Sequence, residues 1–208
     1  MKRLLLLLLA ALALPVAVNA ERKLKFRSIQ SVEMSPTFQV KDRVIVDNNA
    51  YLNNAPKRGE IITFKSPHGF DETLVSLRKT PLPSKCLIGS KDIACEVYMS
   101  RVVAISGDKV EVTSKGKLFI NDSQINEPYV KYYCMKSICE KAVKIVVPDD
   151  HVFVLGDNRS NSWDSRYWPN YFLPVQKIEG KITRIYWPLE RAGLINEITS
   201  TDYPLPAN

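Results

Sequence analysis

The sequence predicts a mainly β protein whose antiparallel strands fold into a barrel-like core carrying a small inserted lobe. Three observations predict it. Short β-branched runs recur along the chain, turn-forming residues punctuate them, and 13 prolines are scattered through the 208 residues, which a helix bundle would exclude from its interior. Strands spaced by roughly 8–12 residues with such punctuation read as an antiparallel barrel or sandwich.

The runs fall in order at residues 43–46, 60–64, 98–105, 109–112, 117–120, 142–147, 151–155 and 181–187. Between them lie Arg58-Gly59, Ser106-Gly107-Asp108, Lys115-Gly116, Asn121-Asp122 and Pro148-Asp149-Asp150, all good turn chemistry. Residues 48–57 and 66–95 read as long polar loops, and 190–198 as a short helical turn. The expected division is a leader at 1–20, a β core at 21–113 and 148–193, the inserted lobe at 114–147 and a tail at 194–208.

Lys2 and Arg3 precede residues 4–18, an apolar run broken only by Pro15. A basic start and a short apolar stretch form a secretory signal. The run is shorter than the roughly 20 residues a spanning helix needs. Val18-Asn19-Ala20 offers a cleavage site, so a cleaved signal and a retained signal anchor both stand, and both export residues 21–208. Cys86, Cys95, Cys134 and Cys139 form two sequence-local pairs, which in an oxidising compartment predicts disulfides 86–95 and 134–139, one of three pairings. Zinc is disfavoured because no His lies near either pair. No metal or cofactor motif is present.

The net charge is +7, falling to +5 without Lys2 and Arg3, the only charges of the leader. Lys109, Lys115, Lys117, Lys131, Lys136, Lys141 and Lys144 mostly stand singly on candidate strands and turns, without the aromatic interleaving of a nucleic-acid groove. That pattern excludes a nucleic-acid groove and leaves an anionic membrane surface as a compatible partner. Trp163, Trp168 and Trp187 read as packed against the core.

Four segments are more specific than strands require: Met34-x-Pro36-Thr37, Arg58-Gly59-Glu60-Ile61 with Phe64, Arg101-Val102-Val103 with Gly107-Asp108, and Gly156-Asp157-Asn158-Arg159 through Tyr167-Trp168. In that order they resemble the bacterial type I signal peptidases, serine endopeptidases that remove signal peptides from exported precursors. The resemblance spans about residues 27 to 193, and residues 184–193, with Tyr186-Trp187-Pro188-Leu189, resemble the cyanobacterial and plastid branch.

The resemblance implies a serine nucleophile directly before Met34 and a lysine general base directly before Arg101. A serine hydroxyl needs a base to take its proton. A lysine serves only when an apolar surround lowers its pKa. This chain has Glu33 at the first position and Ser100 at the second. Ser31 stands where the family places an oxyanion-hole hydroxyl, Ser162 where a serine hydrogen-bonds the lysine, and Asp164 and Arg166 where an ion pair supports the site. Ser35, two positions past the nucleophile slot, would sit about 7 Å away on an extended strand. Lys65 and Lys79 are candidate bases by proximity alone, and Glu33 acting on water with Ser100 lacks a partner acid. The expectation is a degenerate member of the family that binds an extended peptide, a signal-peptide-bearing precursor or another partner. An active peptidase using other groups is the alternative.

Overall fold

The computed structural model describes residues 23–65, 97–131 and 142–195. The regular elements among them are twelve strands and two short 3-10 turns. The first four strands are β1 (Leu24–Ser28), β2 (Arg43–Asp47), β3 (Ile61–Lys65) and β4 (Val97–Ile105). Then come β5 (Lys109–Val112), β6 (Leu118–Ile120), β7 (Ser123–Gln124) and β8 (Val143–Val146). The chain finishes with β9 (His151–Leu155), β10 (Leu173–Pro174), β11 (Ile178–Trp187) and β12 (Gly193–Leu194).

The larger sheet runs β1-β2-β11-β3-β4-β9-β10, with β12 beside β11, and every pairing is antiparallel. β1 and β10 end this path unpaired with each other, so the expected barrel-like antiparallel sheet is not closed. Register shifts in β11 and β4, such as that between Val102 and Ala104, bend the sheet without closing it. The long β11 bridges β2 and β3. It does so closely at Gly180, where a Cβ would lie 2.7 Å from the Asp47 carbonyl oxygen and 2.8 Å from Val46 Cγ1. Only glycine fits that crossing.

The second sheet, β7-β6-β5-β8, leaves the first at Gly107 and returns at Val147. The Gly107 N–H donates to the Val147 carbonyl at 2.9 Å, and the Val147 N–H to that of Asp108 at 2.9 Å. β5, which falls in the 21–113 span of the expected division, hydrogen-bonds into this second sheet. The two sheets share a core. Val103, Ala104, Phe153 and Leu155 of the larger sheet pack with Val110, Val112, Leu118, Ile120, Ile125, Val143 and Val147.

Asp108 pins the junction. Its carboxylate takes both Nε and Nη2 of Arg58, the Ile105 N–H at 2.9 Å and Asn121 Nδ2 at 3.0 Å. Burial pushes this carboxyl up, but the combined hydrogen bonds and the Arg58 charge override that and hold it below its ordinary value.

Eight strands match the sequence-predicted runs within a few residues. β1 is not among the sequence-predicted runs: its Leu24-Lys25-Phe26-Arg27 alternation is short and holds no β-branched residue. It is an edge strand, where lysines are at home. Trp168 is buried and Trp163 half-buried, but Trp187 is 47% exposed, against the expectation that all three pack inward. Of the helical turn expected at 190–198, only its start coincides with the 3-10 turn Leu189–Arg191; residues 193–194 form β12, and 196–198 lie outside the described residues. The leader, the four cysteines, the loop at 66–95 and most of the tail lie outside the described residues.

Candidate functional site

Residues 31–38 form a turn rather than a strand. The Ser35 N–H donates to the Val32 carbonyl at 3.0 Å, and the Phe38 N–H to that of Met34 at 3.0 Å. Ser35 Oγ donates to the Phe38 carbonyl at 3.2 Å. The extended-strand spacing expected for Ser35 therefore does not apply, and its hydroxyl is committed to closing the turn. Met34 and Phe38 anchor the turn in the apolar cluster with Ile29, Val44, Ile61 and Ile185. Ser31 and Glu33 are half-buried beside it.

The segment after β9 grips this turn. The Asn158 N–H donates to the Glu33 carbonyl at 2.9 Å, and Asn158 Nδ2 to the Val32 carbonyl at 3.0 Å. A Cβ on Gly156 would lie 2.2 Å from Ser162 Oγ and 2.7 Å from the Glu33 carbonyl oxygen. The positions of Glu33 and Ser162 thus meet over a bare glycine backbone. Thr37 donates its hydroxyl to Asp157, which also takes Arg101 Nε at 2.8 Å and Nη2 at 2.7 Å. Arg166 holds Asp164 at 2.8 Å through both Nε and Nη2, and the Gly156 N–H donates to Asp164 at 3.0 Å. Asp157, Asp164, Arg101 and Arg166 are all buried. Ions removed from water this completely persist only when paired and hydrogen-bonded, as these are.

Ser100 lies on β4, opposite Ile62 of β3, and is 3% exposed. Alternation along β4 puts it on the same face as Tyr98 and Val102. That face belongs to an apolar cluster of Ile62, Phe64, Val102, Val154 and Trp168, with Tyr98 and Trp163 against it. Such surroundings favour a neutral over a charged amine. The environment that would depress a lysine pKa is present, with a hydroxyl at the position instead. Among the described residues every lysine is exposed except Lys181, which is half-buried and paired with Glu60 at 2.7 Å. Lys65 is exposed, and Lys79 lies outside the described residues.

Burial pushes the Tyr167 hydroxyl above its ordinary range, opposed by the Arg166 charge and helped by Asp164. The Tyr167 ring stacks on Trp163 with centroids 5.3 Å apart. No group of three or more His, Cys, Asp or Glu among the described residues is placed to hold a metal.

The geometry thus brings Glu33, Ser162, Asp164 and Arg166 to one side of the 31–38 turn, with Ser100 on the apolar face of β4. Sequence reasoning missed Glu127. Its carboxylate takes Arg159 Nη1 at 2.9 Å and Nη2 as well, in a pair that is 4% and 1% exposed. Burial pulls the Arg159 guanidinium down, but the Glu127 charge and hydrogen bonds, with Tyr129 and Asp157 beyond them, raise it. It also missed the clasp of Arg191 on Asp42, made by Nη2 at 2.9 Å, with a second bond to the Thr37 carbonyl at 3.1 Å. Gly107-Asp108 and Gly156-Asp157-Asn158 read as turns, and turn chemistry concealed the pairing roles of their carboxylates.

A conserved-family model described as "Signal peptidase, peptidase S26" matches residues 1–187. The chain belongs to that family. It is similar to a probable signal peptidase I-2 of Synechocystis sp., 32% identical over 82% of this chain and 66% of that protein. It is 33% identical to a signal peptidase I of Leptolyngbya laminosa over 80% of this chain and 70% of that one. A probable thylakoidal processing peptidase 2 of Arabidopsis thaliana is 34% identical over 78% of this chain and 38% of that protein. These relatives put it in the cyanobacterial and plastid-like branch. The chain spans under two thirds of the Synechocystis relative and well under half of the Arabidopsis one. A solved signal peptidase I of Enterococcus faecalis V583 aligns with TM-score 0.42 and 23% identity, over 62% of this chain and 98% of that one.

Proposed function

We propose that the chain is a catalytically degenerate signal peptidase I that holds an extended, signal-peptide-bearing precursor without cutting it by serine–lysine chemistry. The observation that carries this reading is Ser100. It is buried among Ile62, Val102 and their neighbours on the face that would neutralise an amine. With Glu33 before Met34, neither the nucleophile nor its base is in place. The pairs Arg101–Asp157 and Arg166–Asp164 hold the 31–38 turn and the 156–166 segment in place, and an extended peptide would bind beside them by pairing with backbone.

The site is proposed to work on the exported face of a membrane. The apolar run at 4–18 supports this, and so does the outer face of the larger sheet. Phe26, Ile45, Arg184 and Leu194 lie in register across four strands on that face, and Phe26 meets Tyr186 edge to face at 5.4 Å. Phe26 is 65% exposed and Leu194 40%. Exposed aromatics beside arginines suit a lipid headgroup layer.

The test incubates the purified protein with a precursor bearing an Ala-x-Ala site. Binding without cleavage is expected, and Glu33→Ser with Ser100→Lys is expected to restore cleavage. Wild-type cleavage lost on mutating Glu33, Ser31 or Ser35 would overturn the reading and favour catalysis by other groups.

A further inference from the structure

The inserted lobe reaches the 156–166 segment and the 31–38 turn through two buried contacts, both from the segment that follows β7. Glu127 holds Arg159, and Arg159 Nε donates to the Gly156 carbonyl at 3.1 Å. Arg166 Nη2 donates to the Arg159 carbonyl at 3.0 Å, fixing the same stretch from the other side. Two residues on from Gly156, Asn158 holds the Val32 and Glu33 carbonyls. A second line starts at Tyr129. Its hydroxyl donates to Glu127 at 2.6 Å and its ring lies 3.9 Å from the Arg101 guanidinium carbon. Arg101 holds Asp157, and Asp157 takes the Thr37 hydroxyl. Both lines therefore start two residues apart on the lobe and end in the 31–38 turn.

We propose that Glu127 and Tyr129 are positioning residues, through which the lobe sets the placement of Glu33 and Ser162 in the peptide cleft. The proposal rests on the peptide-binding reading for its affinity consequence, though not for its structural one. Arg159 is 1% exposed, and its guanidinium also donates to the Gly116 carbonyl of the lobe at 3.4 Å. Its charge balance comes from Glu127, so the 156–159 stretch keeps its geometry only while the lobe is seated. A merely structural pair would stabilise the lobe interface and leave the Asn158 bonds indifferent to its charge. A positioning pair fixes them.

The experiment follows the full chain in detergent by NMR, reading the backbone and side-chain amides of Asn158 and the backbone amides of Glu33 and Ser162. Affinity for a labelled Ala-x-Ala peptide is measured by fluorescence anisotropy. Glu127→Gln, which keeps the shape and removes the charge, is expected to shift the Asn158 signals and weaken peptide binding about tenfold, a usual size for coupling between sites. Amide exchange at Phe26 and Ile45, paired across the β1–β2 edge of the larger sheet, is expected to stay as in the wild type. Glu111→Gln, on the exposed Lys144 pair of the same lobe, is expected to change neither reading.

The double variant Glu127→Met with Arg159→Met separates positioning from packing. It removes both charges, so thermal stability is expected to recover, while the Asn158 signals and the affinity remain altered because the Arg159 bond to Gly156 is gone. Unchanged Asn158 signals in Glu127→Gln, or their return together with stability in the double variant, would overturn the proposal. If the wild-type chain binds no peptide, the functional reading falls, and the Asn158 signals still decide the positioning role.

Discussion

Replacing Gly156 by Ala tests how tightly the two halves of the site are pressed together. The added methyl would sit 2.2 Å from Ser162 Oγ, 2.5 Å from Ser162 Cβ and 2.7 Å from the Glu33 carbonyl oxygen. Ordinary contacts of such atoms lie near 3.5 Å, so the gap must widen by about 1 Å. Ser162 Oγ sits on a side chain and moves by rotation. The Glu33 oxygen is backbone, and it already accepts the Asn158 N–H. Pushing it away stretches that bond, worth about 1 kcal/mol, and overpacking adds about 1–3 kcal/mol. The sum of about 2–4 kcal/mol corresponds to a Tm lower by roughly 4–16 °C for a domain of this size. Differential scanning fluorimetry measures the drop, and peptide anisotropy should show affinity falling alongside it. A variant whose Tm lies within about 1 °C of the wild type would show that the turn and the loop are not in contact as described.

Three further outcomes follow from the charged clasps and the exposed face. Asp108 is held below its ordinary pKa, so its contribution to stability is present above the unfolded value, about 3.9, and is lost as pH falls through the lower folded value. Asp108→Asn should therefore lower the Tm at pH 7, where it leaves the half-buried Arg58 without its carboxylate, and cost less at pH 2, below the unfolded value. An equal loss at both pH values would contradict the assignment. Arg191→Ala should speed amide exchange at Gln39 and Asp42 without altering that of Val154, because the clasp on Asp42 and Thr37 closes only the 37–42 loop. Replacing Phe26 and Trp187 by Ser should reduce sedimentation of the protein with vesicles containing anionic lipid. Equal sedimentation would remove that face from the membrane contact.

Most strands were legible because their β-branched runs are long enough to show a period against the turns around them. β7, β10 and β12 are two residues each and carry no period to read. The Glu33 and Ser100 positions were legible for another reason: Met34-x-Pro36-Thr37 and Arg101-Val102-Val103 fix their register without any structure. What a linear pattern cannot display is a pairing across an interface. Glu127 and Arg159 are 32 positions apart, and Arg191 and Asp42 are 149 apart. Glu127 sits between an exposed Asn126 and an exposed Pro128, in a stretch that reads as surface. Ser35 failed differently, because a spacing rule for strands was applied to a turn.

The buried ionic surround is weak evidence for catalysis, and the reason is energetic. Removing one partner of a buried pair leaves an uncompensated charge and costs about 3–5 kcal/mol, a large share of a domain's stability. Arg101–Asp157, Arg166–Asp164 and Arg159–Glu127 would therefore persist in a folded chain whether or not it still cuts peptides. The same holds for Ile62, Phe64 and Val102, which the core requires on packing grounds alone. Positions that folding does not demand carry more information. Glu33 lends the fold its backbone carbonyl, a service that any residue at that position performs. Ser100 is the reverse case. A lysine there would have to be kept neutral at a cost in stability, and a small hydroxyl relieves that cost.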